Sequence, residues 1–230
     1  MNKATIQMQP NGFGATYQCL AFGYAYCKKY KLEYHHTPLH FIHHNCKFNL
    51  AEKFIGFKES LPVATKDVKM IEYNFHGTKD IDNLITDEVI KDLQTLYYKE
   101  PKKLYDENNI VIHIRKGDVN KKNHPDRWIE LEEYINVLNY FTKNYPDYKI
   151  YICSQGLEKE FELFKDFDIE YKLNEDVLET FNFMVQASIL FIARSSYSYM
   201  AGFLNNNIVY CDMIKKKSWF HYPKQKWLTI

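Results

Sequence analysis

The run His113-Ile114-Arg115-Lys116-Gly117-Asp118 follows directly on the apolar stretch Ile110-Val111-Ile112, so a fixed cation stands where an expected strand ends. An arginine stays charged at any working pH and presents several N–H donors in a planar fork. Arg115 can therefore grip two phosphoryl oxygens at once, which a lysine ammonium does not reproduce. Gly117 allows a sharp turn or a close approach of backbone to a ligand, and Asp118 can orient the arginine or hold a sugar hydroxyl. The same six residues also read as a strand followed by a solvated charged turn, and the remainder of the chain bears on that choice.

A second group with the same chemistry is Arg194-Ser195-Ser196, which follows the apolar run Ile189-Leu190-Phe191-Ile192-Ala193 and opens a helical pattern. The two hydroxyls either cap that helix or, with the N–H groups of its first turn, meet a phosphate at the positive helix end. A third element is Gly12-Phe13-Gly14, between a short apolar strand pattern (Thr5 to Gln9) and Tyr17, Leu20, Ala21 and Tyr24 at helical spacing. A strand, a glycine turn and a helix can direct backbone N–H groups at an anion, although G-x-G is also an ordinary strand-to-helix connection.

Positioning these groups requires a sheet. From residue 110 the chain alternates: strand 110–114, helix 130–144, strand 148–153, helix 157–165, strand 169–172, helix 178–187, strand 189–193, helix 197–204 and strand 208–211. Strands alternating with helices of this length predict an α/β fold with mainly parallel sheets covered on both faces. Ligands of such sheets sit at the carboxyl ends of the strands, which is where Arg115, Asp118 and Arg194 to Ser196 fall. The first half is less regular: a short Leu32-Glu33-Tyr34, a histidine-rich loop, and helices near 49–57 and 86–99, the last with Thr86 as cap and Asp87 and Glu88 in its first turn. Lys99-Glu100-Pro101-Lys102-Lys103 and Asp106-Glu107-Asn108-Asn109 mark a boundary, dividing the chain into lobes 1–105 and 106–214 with a tail, 215–230.

With a net charge of +1 and 46% hydrophobic residues, the 230-residue chain can bury a sizeable core, and its near-neutral balance argues against broad binding to nucleic acid or anionic membrane. Lys215-Lys216-Lys217 is the one basic run and reads as a solvated turn. No stretch approaches the roughly 18 apolar residues of a membrane span, and the start has no apolar signal core, so a cytoplasmic location is expected. The five cysteines (Cys19, Cys27, Cys46, Cys153, Cys211) are widely spaced without a C-x-x-C pair and read as small core residues of a reduced compartment. His35, His36, His40, His43 and His44 include a pair four apart, but no H-E-x-x-H pattern and no neighbouring Cys, Asp or Glu at ligand spacing; no metal site is expected.

The glycine turn, His113-Ile114-Arg115-Lys116-Gly117-Asp118, and Thr180-Phe181-Asn182-Phe183-Met184-Val185-Gln186-Ala187-Ser188-Ile189-Leu190 running into Ser195-Ser196-Tyr197-Ser198-Tyr199 together resemble the GDP-fucose-dependent fucosyltransferase superfamily. The middle segment matches its H-x-R-x-G-D signature. The resemblance covers about a third of the chain and implies a GT-B-like arrangement, two Rossmann-type lobes with the acceptor on 1–105 and the donor on 106–214. It implies inverting, metal-independent transfer of fucose from GDP-fucose to a glycan hydroxyl, with no cofactor. Arg115 would stabilise the leaving GDP. His113 would lie beside the nucleoside, Asp118 would hold the loop or the fucose, and Thr180, Ser195 and Ser196 would meet the donor. Gly12, Phe13 and Gly14 would close over it. Asn182 and Ser188 depart from the His and Asp frequent in the family. For a general base the loop after the signature offers His124 and Asp126, which also read as solvated loop residues. Two alternatives stay open: a transferase using another nucleotide sugar, and a catalytically inactive module that binds a nucleotide sugar or glycan.

Overall fold

The computed structural model describes residues 2–7, 11–40, 42–43, 46–71, 84–211 and 227–229. Among these, the residues up to Lys102 form one compact unit and those from Lys103 onward form a second. Both are α/β with all-parallel pairing, which the alternation from residue 110 predicted for the second. The basic run 215–217 lies outside the described residues.

In the second unit Ile110, Val111 and Ile112 are wholly buried, as a strand covered on both faces must be. They belong to β4 (Asn109–His113), with β1 to β3 in the first unit. β4 pairs with β5 (Lys149–Ser154) on one side and β7 (Ile189–Ile192) on the other. The sheet continues to β6 (Ile169–Leu173) beyond β5, and to β8 (Ile208–Cys211) and β9 (Trp227–Thr229) beyond β7. Starting from β4 as the first strand, the spatial order 6-5-4-7-8-9 is the 3-2-1-4-5-6 order of a doubly wound nucleotide-binding sheet.

The faces follow from the strand period of two. Ile110, Ile112, Ile150, Ile152, Phe191 and Tyr210 share one core with α5 (Leu131–Asn144), which contributes Tyr134, Leu138 and Phe141. Tyr151, of opposite parity, meets Phe183 of α6 (Val177–Val185), with ring centroids 5.1 Å apart. α7 (Ser196–Leu204) packs on α6, and Trp227 of β9 lies over α7. A Cβ on Gly202 would come 2.9 Å from the Trp227 ring, so only glycine lets strand and helix approach this closely.

In this unit two features depart from the sequence expectation. Residues 157–165, expected as a helix, form a 3₁₀ segment, Glu158–Phe164, with Phe161 out of helical geometry (φ −110°, ψ 17°). Residues 215–230, expected as a tail, include β9, whose pairing with β8 supplies the order its three residues could not announce by periodicity.

The first unit holds β1 (Lys3–Ile6) between β2 (Glu33–Tyr34) and β3 (Lys69–Ile71), a strand the sequence did not signal. α1 (Phe13–Lys29) buries Tyr17, Leu20, Ala21 and Phe22. Two short helices, α2 (Phe48–Phe54) and α3 (Phe57–Ser60), and α4 (Asp87–Tyr97) complete it; Thr86 caps α4, its hydroxyl accepting from Val89 N–H at 3.3 Å. Past the end of β2, His36 is 1% exposed and its Nε2 lies 2.8 Å from Glu52 Oε1, itself 3% exposed. The same carboxylate oxygen accepts the N–H of Leu39.

None of the five cysteines is in a disulfide, and all are buried. Burial pushes the thiols of Cys19 and Cys153 up to about 12 and that of Cys27 to about 11, so these three are neutral core groups at neutral pH. His44 of the histidine pair lies outside the described residues, among which no three His, Cys, Asp or Glu converge as a metal site. No helix of the described residues is long and apolar enough to cross a membrane.

Candidate functional site

In a 3-2-1-4-5-6 sheet the chain leaves β4 toward one neighbour and β7 toward the other, and the crevice between their carboxyl ends is the topological switch point. Arg115 stands two residues beyond β4 and Ser195 three residues beyond β7. The topology thus brings the two phosphate-suited groups, eighty residues apart in sequence, to one place.

His113 ties these two strand ends together. Its ring is 5% exposed, with Nδ1 2.8 Å from Ser198 Oγ in the first turn of α7. Ser198 Oγ in turn donates to Ala193 C=O at 3.3 Å, so Nδ1 carries the proton toward Ser198 and Nε2 keeps its lone pair. Burial, reinforced by the charge of Arg115, pulls the ring down to about 3, and His113 is neutral throughout the physiological range. It cannot exchange a proton near neutrality; it joins β4 to α7 as an uncharged hydrogen-bonding group. Tyr197 packs against it, ring centroids 5.6 Å apart, and reaches α6 through its hydroxyl on Val177 C=O.

Arg115 keeps 22% of its side chain exposed and donates from one terminal nitrogen to Asp118 Oδ2 at 2.7 Å. Asp118 therefore orients the guanidinium. Between them Gly117 takes a left-handed φ of +84°, and a Cβ there would stand 2.2 Å from Gln155 Oε1. Lys116 turns away: its Nζ pairs with Glu160 at 2.7 Å and lies over the Phe161 ring.

Ser195 caps α7, its hydroxyl accepting from Tyr197 N–H at 3.3 Å, and Ser196 is the first helical residue. The helix thereby presents its positive end at the switch point, a ready anion site. Replacing Ser195 by Ala is expected to cost about 0.5–2 kcal/mol of stability, read by urea unfolding, and Ser195→Asp to restore it, because Asp caps as well as Ser. No recovery in the Asp variant would show that the hydroxyl does something other than cap.

The connection from Asp118 to Glu130 is internally bonded. Asn120 Oδ1 accepts from Lys122 N–H and Asn123 N–H at 3.0 Å, and Asn123 Nδ2 donates to Asp118 C=O at 2.8 Å. The His124 carbonyl accepts from both Arg127 and Trp128 N–H. On this connection His124 is half-buried and Asp126 exposed. Arg194, 5% exposed, donates NH1 to Trp128 C=O at 3.2 Å and so fastens the connection to the end of β7.

The remaining expected site residues have different surroundings. Thr180 lies in the first half of α6, 9% exposed. In the first unit Gly12 precedes α1 and Phe13 and Gly14 open it; the Phe13 ring is buried, 6.1 Å from Tyr17 and 6.3 Å from Phe54, leaving backbone as the part of this turn suited to a ligand. The two departures from the family pattern are structural. Ser188 Oγ accepts from Asn108 N–H at 3.1 Å, at the opposite, amino edge of the sheet. Asn182 Nδ2 donates to Lys103 C=O at 2.8 Å.

The connection from Asp118 to Glu130 also carries Arg127, which with Arg115 and Arg194 makes up all the arginines of the chain.

No protein-family model matches the chain, and no curated protein matches it by sequence. Among solved structures it is similar to E. coli heptosyltransferase WaaC with ADP, at TM-score 0.45 and 8% identity over 92% of this chain and 87% of that one. It is also similar to NodZ α-1,6-fucosyltransferase co-crystallised with GDP, at TM-score 0.46 and 10% identity over 88% of this chain and 92% of that one. POFUT1 in complex with GDP matches at TM-score 0.34 and 11% identity, over 89% and 70% respectively. These are distant likenesses in chain trace.

Proposed function

We propose that this chain is a nucleotide-sugar-dependent glycosyltransferase that moves fucose from GDP-fucose to a glycan hydroxyl by inverting, metal-independent transfer. The observation that carries the reading is the convergence of Arg115 and the Ser195-capped end of α7 at the switch point of a doubly wound sheet. Two positive elements on one crevice suit a diphosphate leaving group, and stabilising its departing charge is the main demand of glycosyl transfer without a metal. The H-x-R-x-G-D resemblance selects GDP-fucose among nucleotide sugars.

In this reading Arg115 takes the phosphate nearer the sugar, with Asp118 holding its fork in place. Ser195 and Ser196 meet the phosphates at the helix end, and neutral His113 offers hydrogen bonding without adding charge. Thr180 completes the donor contacts that the second unit supplies. His124 or Asp126, on the connection that carries Arg127, takes the proton of the acceptor hydroxyl. Asn182 and Ser188 serve the scaffold in this reading, through Lys103 C=O and Asn108 N–H.

The test is calorimetric titration with GDP, UDP and CDP in the presence of EDTA. Binding of GDP alone is the expected result and leads to a transfer assay with GDP-fucose. Preference for UDP removes fucose from the proposal but keeps a transferase. Failure of all three to bind leaves a glycan-binding module as the reading.

A further inference from the structure

We propose that Arg127 is a second phosphate ligand of this site and that, with Arg115, it makes the site select a diphosphate over a monophosphate. The proposal deepens the reading above and rests on it in one respect, that the ligand is anionic through phosphate.

Composition makes the placement informative. The chain draws nearly all its cations from lysine and contains three arginines. Lysine serves wherever a surface needs only solvated positive charge; arginine differs by its permanent charge and its rigid fork for phosphate or carboxylate oxygens. All three arginines belong to the second unit and to the carboxyl edge of its sheet. Arg115 and Arg127 stand on the connection from β4 to α5, and Arg194 stands between β7 and α7.

Their roles divide by burial. Arg194 is 5% exposed and hydrogen-bonded to the carbonyl of Trp128, the residue next to Arg127. It is a positioning residue: it clasps the connection where the second guanidinium emerges. Arg127 is half-buried, its own N–H bonded to His124 C=O at 3.0 Å and Ile129, two residues on, 7% exposed. Its backbone is therefore fixed on both sides while its side chain keeps access to solvent. Electrostatics agree with this geometry. Burial lowers the guanidinium's hold on its proton, Asp126 opposes that shift, Arg115 adds to it, and Asp118 opposes it. Arg115 and Arg127 thus lie in each other's field. Two like charges held together by a braced connection repel one another, and a ligand carrying charge on two adjacent phosphoryl groups relieves that repulsion in a way one phosphoryl group does not.

The experiment compares GDP with GMP, and inorganic pyrophosphate with orthophosphate, on the intact chain and on Arg127→Gln and Arg127→Lys. Native protein is expected to prefer GDP over GMP by about tenfold or more. Arg127→Gln should lose about tenfold in GDP affinity with little change for GMP, the size of a charge-assisted hydrogen-bonded contact. Arg127→Lys should recover part of the loss, which also shows that the connection still folds. Equal losses for GDP and GMP, or unchanged GDP affinity in Arg127→Gln, overturn the proposal. If pyrophosphate binds through Arg127 in preference to orthophosphate while no nucleotide binds, the diphosphate clamp stands and the nucleotide reading falls. If GDP binds with Arg127 indifferent, the reverse holds. If neither pyrophosphate nor GDP binds, both fall.

Discussion

Arg115→Ala is expected to weaken GDP binding by about a hundredfold or more and nearly to abolish transfer. A hydrogen bond to a charged partner is worth about 1.5–3 kcal/mol, two such bonds are lost with the fork, and each 1.4 kcal/mol is tenfold in affinity. The loss in rate should exceed the loss in binding, since charge on the departing diphosphate grows toward the transition state and stabilisation realised only there lowers the barrier. The side chain is partly exposed and its ion pair with Asp118 stands at the surface, so the variant should melt close to the native protein. Arg115→Lys separates charge from geometry: it retains the cation but not the planar fork, and should lie between the two. Calorimetry with GDP, alongside a thermal melt, checks this. Unchanged affinity in a folded Arg115→Ala variant removes the central claim.

The largest expected stability effect is in the first unit, at Glu52. Its carboxylate is buried beside His36, and one oxygen serves both the imidazole and the Leu39 N–H. Burial by itself pushes this carboxyl up, but the bonds from His36 and from the Leu39 N–H outweigh it, and the group is held below the usual carboxylate range. Glu52→Ala strands the imidazole and an amide in the interior, and each buried group left without its hydrogen-bond partner costs about 1–3 kcal/mol. Against a usual total of about 5–15 kcal/mol this is a large fraction, readable as a shift of the urea midpoint by far-UV circular dichroism. A shift worth less than about 1 kcal/mol would show that the pair is solvated. Replacing both partners by apolar residues of similar volume should recover much of the loss, because no buried polar group is then left over.

The same site sets an acid limit. A carboxyl whose folded value is lowered stabilises the fold above its unfolded value, near pH 4.3, and that contribution is lost as pH falls through the folded value. Acid unfolding of native protein should therefore steepen below about pH 4, and Glu52→Gln should remove that component.

How much of this was legible in the chain differs by element, for physical reasons. The alternation from residue 110 to 211 was readable because buried parallel strands are short apolar runs and the helices between them carry period-3.6 faces. The departures confirm the rule: β3 and β9, three residues each, are too short to show a period and exist because a neighbouring edge offers them hydrogen bonds. The 3₁₀ segment carried helical composition, but a chain this short between two strands took the tighter turn.

For the site, side-chain chemistry was a property of the sequence and juxtaposition was not. The charge and fork of Arg115, the capping capacity of Ser195 and the turn at Gly117 follow from covalent structure and nearest neighbours, which one dimension encodes. Strand order, by contrast, is decided by which hydrophobic edges pair. Only that order sets β4 beside β7 and gathers the three arginines of the chain on one edge of the sheet. Burial and long-range contact likewise make His113 an uncharged link between strand and helix, which residue type alone does not determine.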